Sequence, residues 1–314
     1  MSSTERSVVL GAYSNLPARH LEPFARSLRA TGFRGSLAVV AGRLAPEERT
    51  ALDALADDVV DVDSEYARDL ALARGLLARM RPRRVVRRAY APLFAAAARG
   101  LTGRAAPARW GRLEYHLEGL QALRYGHYLR YLRERAPVAD LVMISDLRDV
   151  VFQRDPFADP VDGLELYLED GSVRIGHDFF NTRWIANLYG SDEVEALRDR
   201  PVSCSGTVVG TRDAMLAYLE AMTSEIARHA GLPLGCHDQA IHNVLFHRGR
   251  LPEPRAVANA TGRILTMGMM SGYRTGADGS VLNDDGSVPA VLHQWDRHGA
   301  LARRFTVRRP RSEL

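Results

Sequence analysis

Asp140-Leu-Val-Met-Ile-Ser145-Asp146-Leu-Arg-Asp149-Val-Val-Phe-Gln-Arg-Asp155-Pro156-Phe157 is the stretch on which the reading of the whole chain turns. Its first six residues form a near-continuous apolar run, the pattern of a central parallel strand with both faces covered. Two carboxylates follow at once. In open α/β sheets ligands bind beyond the carboxyl ends of the strands, so Asp146 and Asp149 stand where such a fold would place a site. Carboxylate oxygens suit a hard divalent cation such as Mg2+ or Mn2+, which can bridge the phosphates of a nucleoside diphosphate. The competing reading has Asp146 capping a turn and Asp149 paired with Arg148 or Arg154 at the surface. Spacing alone does not separate the two.

Upstream, the chain alternates between apolar runs and amphipathic segments. Ser7 to Tyr13 is a β-branched run ending at Ser14-Asn15; Leu21, Phe24, Ala25 and Leu28 share one helical face; Leu37 to Ala41 is apolar again. Strand, helix, strand connected by a right-handed crossover gives parallel pairing. Val59 to Val62 supplies a third strand. The expected fold is therefore α/β, with a Rossmann-like, mixed but mostly parallel sheet flanked by helices, in one domain spanning 1–314. Between 67 and 110 the alternation breaks: Arg79, Arg81, Arg83, Arg84, Arg87, Arg88, Arg99, Arg104 and Arg109 sit among alanines and leucines, with Asp69 the lone acid. A helical Arg-rich insertion is expected there, either solvated or docked as a basic amphipathic surface on anionic lipid or an acidic acceptor. From Tyr115 to Arg135 a helical period returns, with Leu117, Leu120, Leu123, Tyr128, Leu129 and Leu132 on one stripe, and Pro137 ends it. Gly276 to Ser287 is rich in turn residues and reads as an exposed loop or hairpin.

The chain has 314 residues, of which 46% are hydrophobic, enough for a substantial core. Its net charge of +4 comes without a single lysine, and its arginines are mostly interspersed with acids, so charge alone assigns no polyanionic partner. No RNA- or DNA-binding motif is present, and nucleic acid is not an expected partner. Cys204 and Cys236 lack the spacing of a disulfide framework or a structural zinc site and read as buried thiols in a reducing compartment. The polar start before Val8 is too short for a secretory signal. The longest apolar stretch, Ala89 to Ala98, is interrupted by Pro92, well short of the ~20 residues that span a bilayer. The expected location is cytoplasmic, peripheral to a membrane if the Arg-rich segment docks there.

The run from Asp146 to Phe157 resembles the segment after the metal-binding strand of GT-A glycosyltransferases, where an acidic turn is followed by an apolar segment and a "dPF" element. The likeness is to bacterial nucleotide-diphospho-sugar transferases, more loosely to glycosyltransferase family eight, and extends in patches over about the C-terminal two-thirds of the chain. It implies a metal-dependent, hexosyltransferase-like enzyme that moves a sugar from a nucleoside diphosphate sugar to the hydroxyl of a glycan, lipid or natural product, with retention of configuration if the family-eight likeness holds. One departure matters: the usual acids are two apart, and here they are three apart with Arg148 between. Which carboxylate meets the metal is left open.

Three later patches carry the resemblance further. Pro201-Val-Ser-Cys-Ser-Gly-Thr-Val-Val-Gly210 resembles the group's serine-glycine strand, implying donor-sugar contacts at Ser205 and Gly206; by itself it reads as a strand with a glycine bulge. Cys236-His-Asp-Gln-Ala-Ile-His-Asn243 resembles the "DQ…N" segment, implying a catalytic Asp238 facing the sugar and a donor contact at Gln239. The five-residue spacing of His237, His242 and His247 spreads them around a helix and disfavours zinc. Val291-Leu-His-Gln-Trp-Asp-Arg-His298 resembles the late histidine strand, implying His293 as a metal ligand beside Asp146 and Asp149, with nitrogen ligation favouring Mn2+ over Mg2+. Asn181 and Trp184, with Glu169-Asp170 and Tyr189-Gly190 nearby, suit a pyranose, whose C–H faces stack on aromatic rings. Trp295 would contact the acceptor or pack on the sheet edge. Ala12, Tyr13 and Ser14 are placed to meet the nucleotide base and Arg124 to reach the diphosphate, with Asp146 also on the donor. The alternatives are a noncatalytic protein binding nucleotide sugars, membranes or nucleic acid, and a nucleotidyltransferase, which usually carries a glycine-rich loop followed by the lysine this chain lacks.

Overall fold

The computed structural model describes residues 6–14, 17–42, 44–62, 120–229 and 237–305. The Arg-rich segment at 67–110, Cys236 and the part of the expected long helix before Leu120 lie outside them.

The amino-terminal half builds the parallel part of the main sheet. β1 (Ser7–Ser14) leads through a short turn to α1 (Glu22–Ala30), then to β2 (Ser36–Gly42), α2 (Pro46–Asp53) and β3 (Asp58–Asp61). α1 opens with Glu22-Pro23: the acid suits the positive end of the helix dipole, and proline there forfeits no intrahelical bond. α3 (Leu120–Glu134) precedes β4 (Leu141–Ser145), which pairs with β1 so that Gly11 stands opposite Ser145. The strands expected at Ser7, Leu37, Val59 and Asp140 are all present.

The remaining elements are β5 (Val150–Phe152), β6 (Leu164–Leu168), α4 (Phe179–Tyr189), α5 (Ser191–Ala196), β7 (Ser203–Thr211), α6 (Arg212–Arg228), α7 (Asp238–His247), β8 (Arg255–Val257), β9 (Ile264–Thr266), β10 (Arg274–Thr275), β11 (Val281–Leu282), β12 (Val291–His293) and α8 (Gly299–Phe305). The seven-stranded sheet runs β3-β2-β1-β4-β7-β6-β8, and β7 is antiparallel to both neighbours. The molecule is thus α/β, a mixed and mostly parallel sheet flanked by helices, compatible with a Rossmann-like fold. β10 and β11 form a small hairpin that shares the turn-rich stretch at Gly276.

The apolar run of β4 is continuous because its two faces feed two cores. Val142 and Ile144 join Tyr125, Tyr128, Leu132, Tyr218 and Met222 from α3 and α6. Met143 joins Phe24 and Leu28 of α1 on the other face. A smaller three-stranded sheet, β5-β12-β9, contains the expected late histidine strand as β12; its other two strands are three residues long, too short to show a period in the sequence. α1 ties it to the main sheet: Phe24 meets Phe152 edge-on at 4.9 Å, and Ser27 Oγ accepts from the Phe152 N–H. Among the described residues no helix is long and apolar enough to cross a membrane.

Candidate metal centre

The acidic turn sits where the two sheets meet. After β4, Leu147 turns into the core while Arg148 turns outward, leaving Asp146 and Asp149 on the same side. The three-residue spacing thus brings both carboxylates to one place. β5 begins directly after Asp149 and pairs antiparallel with β12, placing His293 opposite Val150. The Gln294 N–H donates to the Asp149 carbonyl at 2.6 Å, and the Asp146 N–H donates to the Gly206 carbonyl at 2.7 Å. One ligand atom each from Asp146, Asp149 and His293 lies within 4.8 Å of the others, so this cluster could hold a metal ion.

Its chemistry fits that role. His293 is 1% exposed, and its Nε2 has no hydrogen-bond partner among the described residues while lying 3.7 Å from Asp146 and 3.9 Å from Asp149. Those separations are too long for hydrogen bonds and suit three ligands around a cation. The other ring nitrogen approaches Cys204 Sγ at 3.6 Å, which orients the imidazole. Gly206 forms the floor: a Cβ there would come within 2.5 Å of Asp146 Oδ2 and 2.8 Å of His293 Cε1.

Burial and mutual charge set the protonation of the cluster. Burial pushes the Asp149 carboxyl up, and the neighbouring Asp146 charge adds to the rise against His293. Burial opposes ionisation of Asp146 too, but Arg124 and then His293 outweigh it and hold that carboxyl well below the usual range. His293 would be lowered by burial; Cys204, Asp146 and Asp149 together raise it instead. Glu169, at the carboxyl end of β6, is raised by burial and further by Asp178, while His293 and Arg297 lower it. Arg148 lies 3.4 Å from Asp149 and 3.6 Å from Asp296, so the rim also carries cations.

Several expected site residues have other work. Arg124, expected at a diphosphate, is 8% exposed and forks between two carboxylates: one amino group donates to Asp146, the other to Asp238 at 2.8 Å. Asp238 is itself buried and accepts from Tyr125 as well. Gln239, expected on the donor, uses both ends of its amide on β7, accepting from the Ser205 N–H and donating to the Ser203 carbonyl. Trp295, expected at the acceptor, is 4% exposed and packs edge-on against Phe305; the alternative of packing is what the fold adopts. The Tyr13 ring is likewise buried in the core under α1, and Ala12 and Ser14 remain half-buried at the carboxyl end of β1 beside the acidic turn. Gly206 lines the cluster on β7, whereas Ser205, next along the strand, is tied through its N–H to Gln239 of α7. Asn181 is 4% exposed and Trp184 half-buried, both on α4, which Asp178 caps; no hydrogen bond or ion pair joins either to the cluster among the described residues.

The sequence marks Cys204 only as a buried thiol, Glu169 only as part of a polar-aromatic region suited to a pyranose, and Arg148 only as a partner for Asp149, a pairing the structure contains; Arg297 has no signal in the sequence. Gln294 takes a left-handed backbone, φ 60°, which nothing in its sequence context announces. Comparison of the chain with protein-family models and with curated proteins gives no match.

Proposed function

We propose that this protein is a metal-dependent glycosyltransferase of GT-A type, transferring a sugar from a nucleoside diphosphate sugar to a hydroxyl acceptor. The observation that carries the reading is the buried Asp146–Asp149–His293 cluster at the carboxyl edge of the sheet, floored by Gly206. Asp146, Asp149 and His293 would hold Mn2+ or Mg2+, and the mixed oxygen and nitrogen set favours Mn2+. When bound, the cation supplies Lewis-acid neutralisation of the diphosphate leaving group. Arg148 and Arg297 add positive charge on the rim, where departing phosphate oxygens would gather it. Gly206 lets Asp146 and His293 close over β7, and the donor's sugar-phosphate would lie beside it, near Ser205. Arg124 links Asp238 at the head of α7 to Asp146 of the cluster, and Asp238 would be the carboxylate that acts on the transferred sugar. Ala12 and Ser14 border the end of the sheet where the nucleotide base would lie.

A thermal-shift panel of UDP-, GDP- and dTDP-sugars with Mn2+ or with chelator tests the reading. A Mn2+-dependent stabilisation by one nucleotide that Asp149→Ala abolishes is the expected result. No shift with any nucleotide in the wild type removes the transferase reading.

A further inference from the structure

We propose that the cavity where β6, β8 and the turn before β9 meet binds a sugar-sized oxyanion, a phosphorylated sugar or a sugar acid, at a site separate from the metal cluster. The cavity measures about 540 Å3, within the range of small-molecule sites. Arg154, Arg255 and Arg263 line it with two acids, Asp159 and Glu165, a formal excess of one positive charge. Both acids are already satisfied within the wall. Glu165 is 1% exposed; one oxygen accepts from Arg255, and the other from Arg263 Nε at 3.0 Å and from the Tyr167 hydroxyl. Asp159 accepts from Arg154 Nη2 at 2.8 Å. Arg263 is spent on the wall as well, its amino groups donating to the carbonyls of Pro156, Asp159 and Pro160.

What is left over is positive. Arg154 uses Nε on the Val288 carbonyl and Nη2 on Asp159, while Arg255 uses Nη2 on Glu165. Nη1 of Arg154 and both Nε and Nη1 of Arg255 have no partner among the described residues, and the two side chains are 40% and 62% exposed, within reach of a ligand. Guanidinium groups held in such a frame pair with phosphate or carboxylate oxygens. Asn283, 1% exposed, supplies the complementary need. Its amide donates to the Gly262 carbonyl and to Ser287 Oγ, both at 3.0 Å, and its Oδ1 is buried with no hydrogen-bond partner among the described residues. A hydroxyl of the ligand would satisfy that acceptor, so the wall suits an anion that also carries hydroxyls.

The site stands apart from the metal centre and does not rest on the transferase reading. Glu165 pairs with Val209, three residues along β7 from Gly206, and Arg263 precedes β9, whose last residue Thr266 pairs with His293. Three residues of strand span about 10 Å. A ligand bound here therefore needs none of Asp146, Asp149 and His293.

Calorimetric titration of metal-free protein near neutral pH with glucose 6-phosphate, glucuronate, glucose and inorganic phosphate tests the proposal. At least one of the two charged sugars is expected to bind the wild type about tenfold or more tighter than glucose, the worth of one charge-assisted contact, and tighter than phosphate, which fills less of the cavity. The ratio between the two charged sugars tells which oxyanion the site takes. Arg255→Gln removes one fork, and Thr261→Glu adds a negative charge at an exposed lining position while leaving the ion pairs intact. Both are expected to lose the preference over glucose, Thr261→Glu at unchanged Tm. Equal binding of glucose, no binding of either charged sugar, phosphate binding as tight as theirs, or a preference that survives both variants overturns the proposal. Asp149→Asn is expected to bind the charged sugars as the wild type does; loss of binding there would assign it to the metal cluster and overturn the separate site.

Discussion

Asp149 is buried at 6% exposure beside a second carboxylate, an arrangement that stabilises nothing by itself. Replacing it by Asn is expected to leave the metal-free Tm unchanged or slightly higher, and to abolish the rise in Tm that Mn2+ gives the wild type; thermal shift with and without chelator reads both. Gly206→Ala is expected to weaken Mn2+ binding by about tenfold or more, because the added methyl displaces Asp146 and His293 from each other, and metal titration by calorimetry measures it. The pH dependence has a definite sign. His293 and Asp149 both bind protons more tightly here than in free side chains, and a cation needs both without them. Mn2+ affinity should therefore rise with pH, by up to about tenfold per unit for each proton released, as pH climbs through the raised ranges of the two groups. Calorimetry in buffers of different ionisation enthalpy counts those protons. A flat affinity between pH 5 and 8 would contradict this picture.

The element that holds the site in shape is α7. Between the Leu166–Val208 and Leu168–Ser203 pairs the β6–β7 register is broken, and side chains of α7 bond the freed stretch of β7. Asn243 accepts from the Ser203 N–H and donates to its carbonyl, both at 2.9 Å, while Gln239 spans Ser203 and Ser205. His242 completes the clamp, joining Ser203 Oγ and the Tyr218 hydroxyl at 2.8 Å each. This is why a sequence patch that resembles a donor-binding motif turns its amides toward the protein. Asn243→Ala orphans the buried Ser203 N–H and is expected to cost about 1–3 kcal/mol, measured by urea unfolding. Burial pushes the His242 imidazole down to about 3. A histidine lowered on folding contributes stability that is complete above its unfolded range and is lost as pH falls toward the folded value. The wild type should accordingly lose stability between pH 6.5 and 4, and His242→Gln should flatten that slope.

At the scale of the whole molecule, Arg124 joins what would otherwise be separate parts. From α3 it binds Asp146 after β4 and Asp238 at the head of α7, three elements drawn to one guanidinium. Arg124→Leu leaves two carboxylates without their cation and is expected to destabilise the fold by about 3–5 kcal/mol; Arg124→Lys, a point charge without the fork, should recover only part of it in the same unfolding assay. The parallel half of the sheet was legible in the residues alone, because long apolar and amphipathic runs such as Leu37–Ala41 and Phe24–Leu28 carry their own period. So was the place of Asp146 and Asp149 at a carboxyl edge, and, through the resemblance of the late strand, that His293 is the residue to place beside them. That the three-residue acidic spacing brings both carboxylates together needed the folded chain, since it depends on Leu147 turning inward and on a second sheet whose strands are three residues long. The folded chain alone assigned Arg124, Gln239 and Trp295 to internal partners, and it alone set Cys204 and Gly206 around the imidazole. Period and composition are local quantities, whereas a ligand set drawn from residues 146, 149 and 293 exists only once two sheets have met.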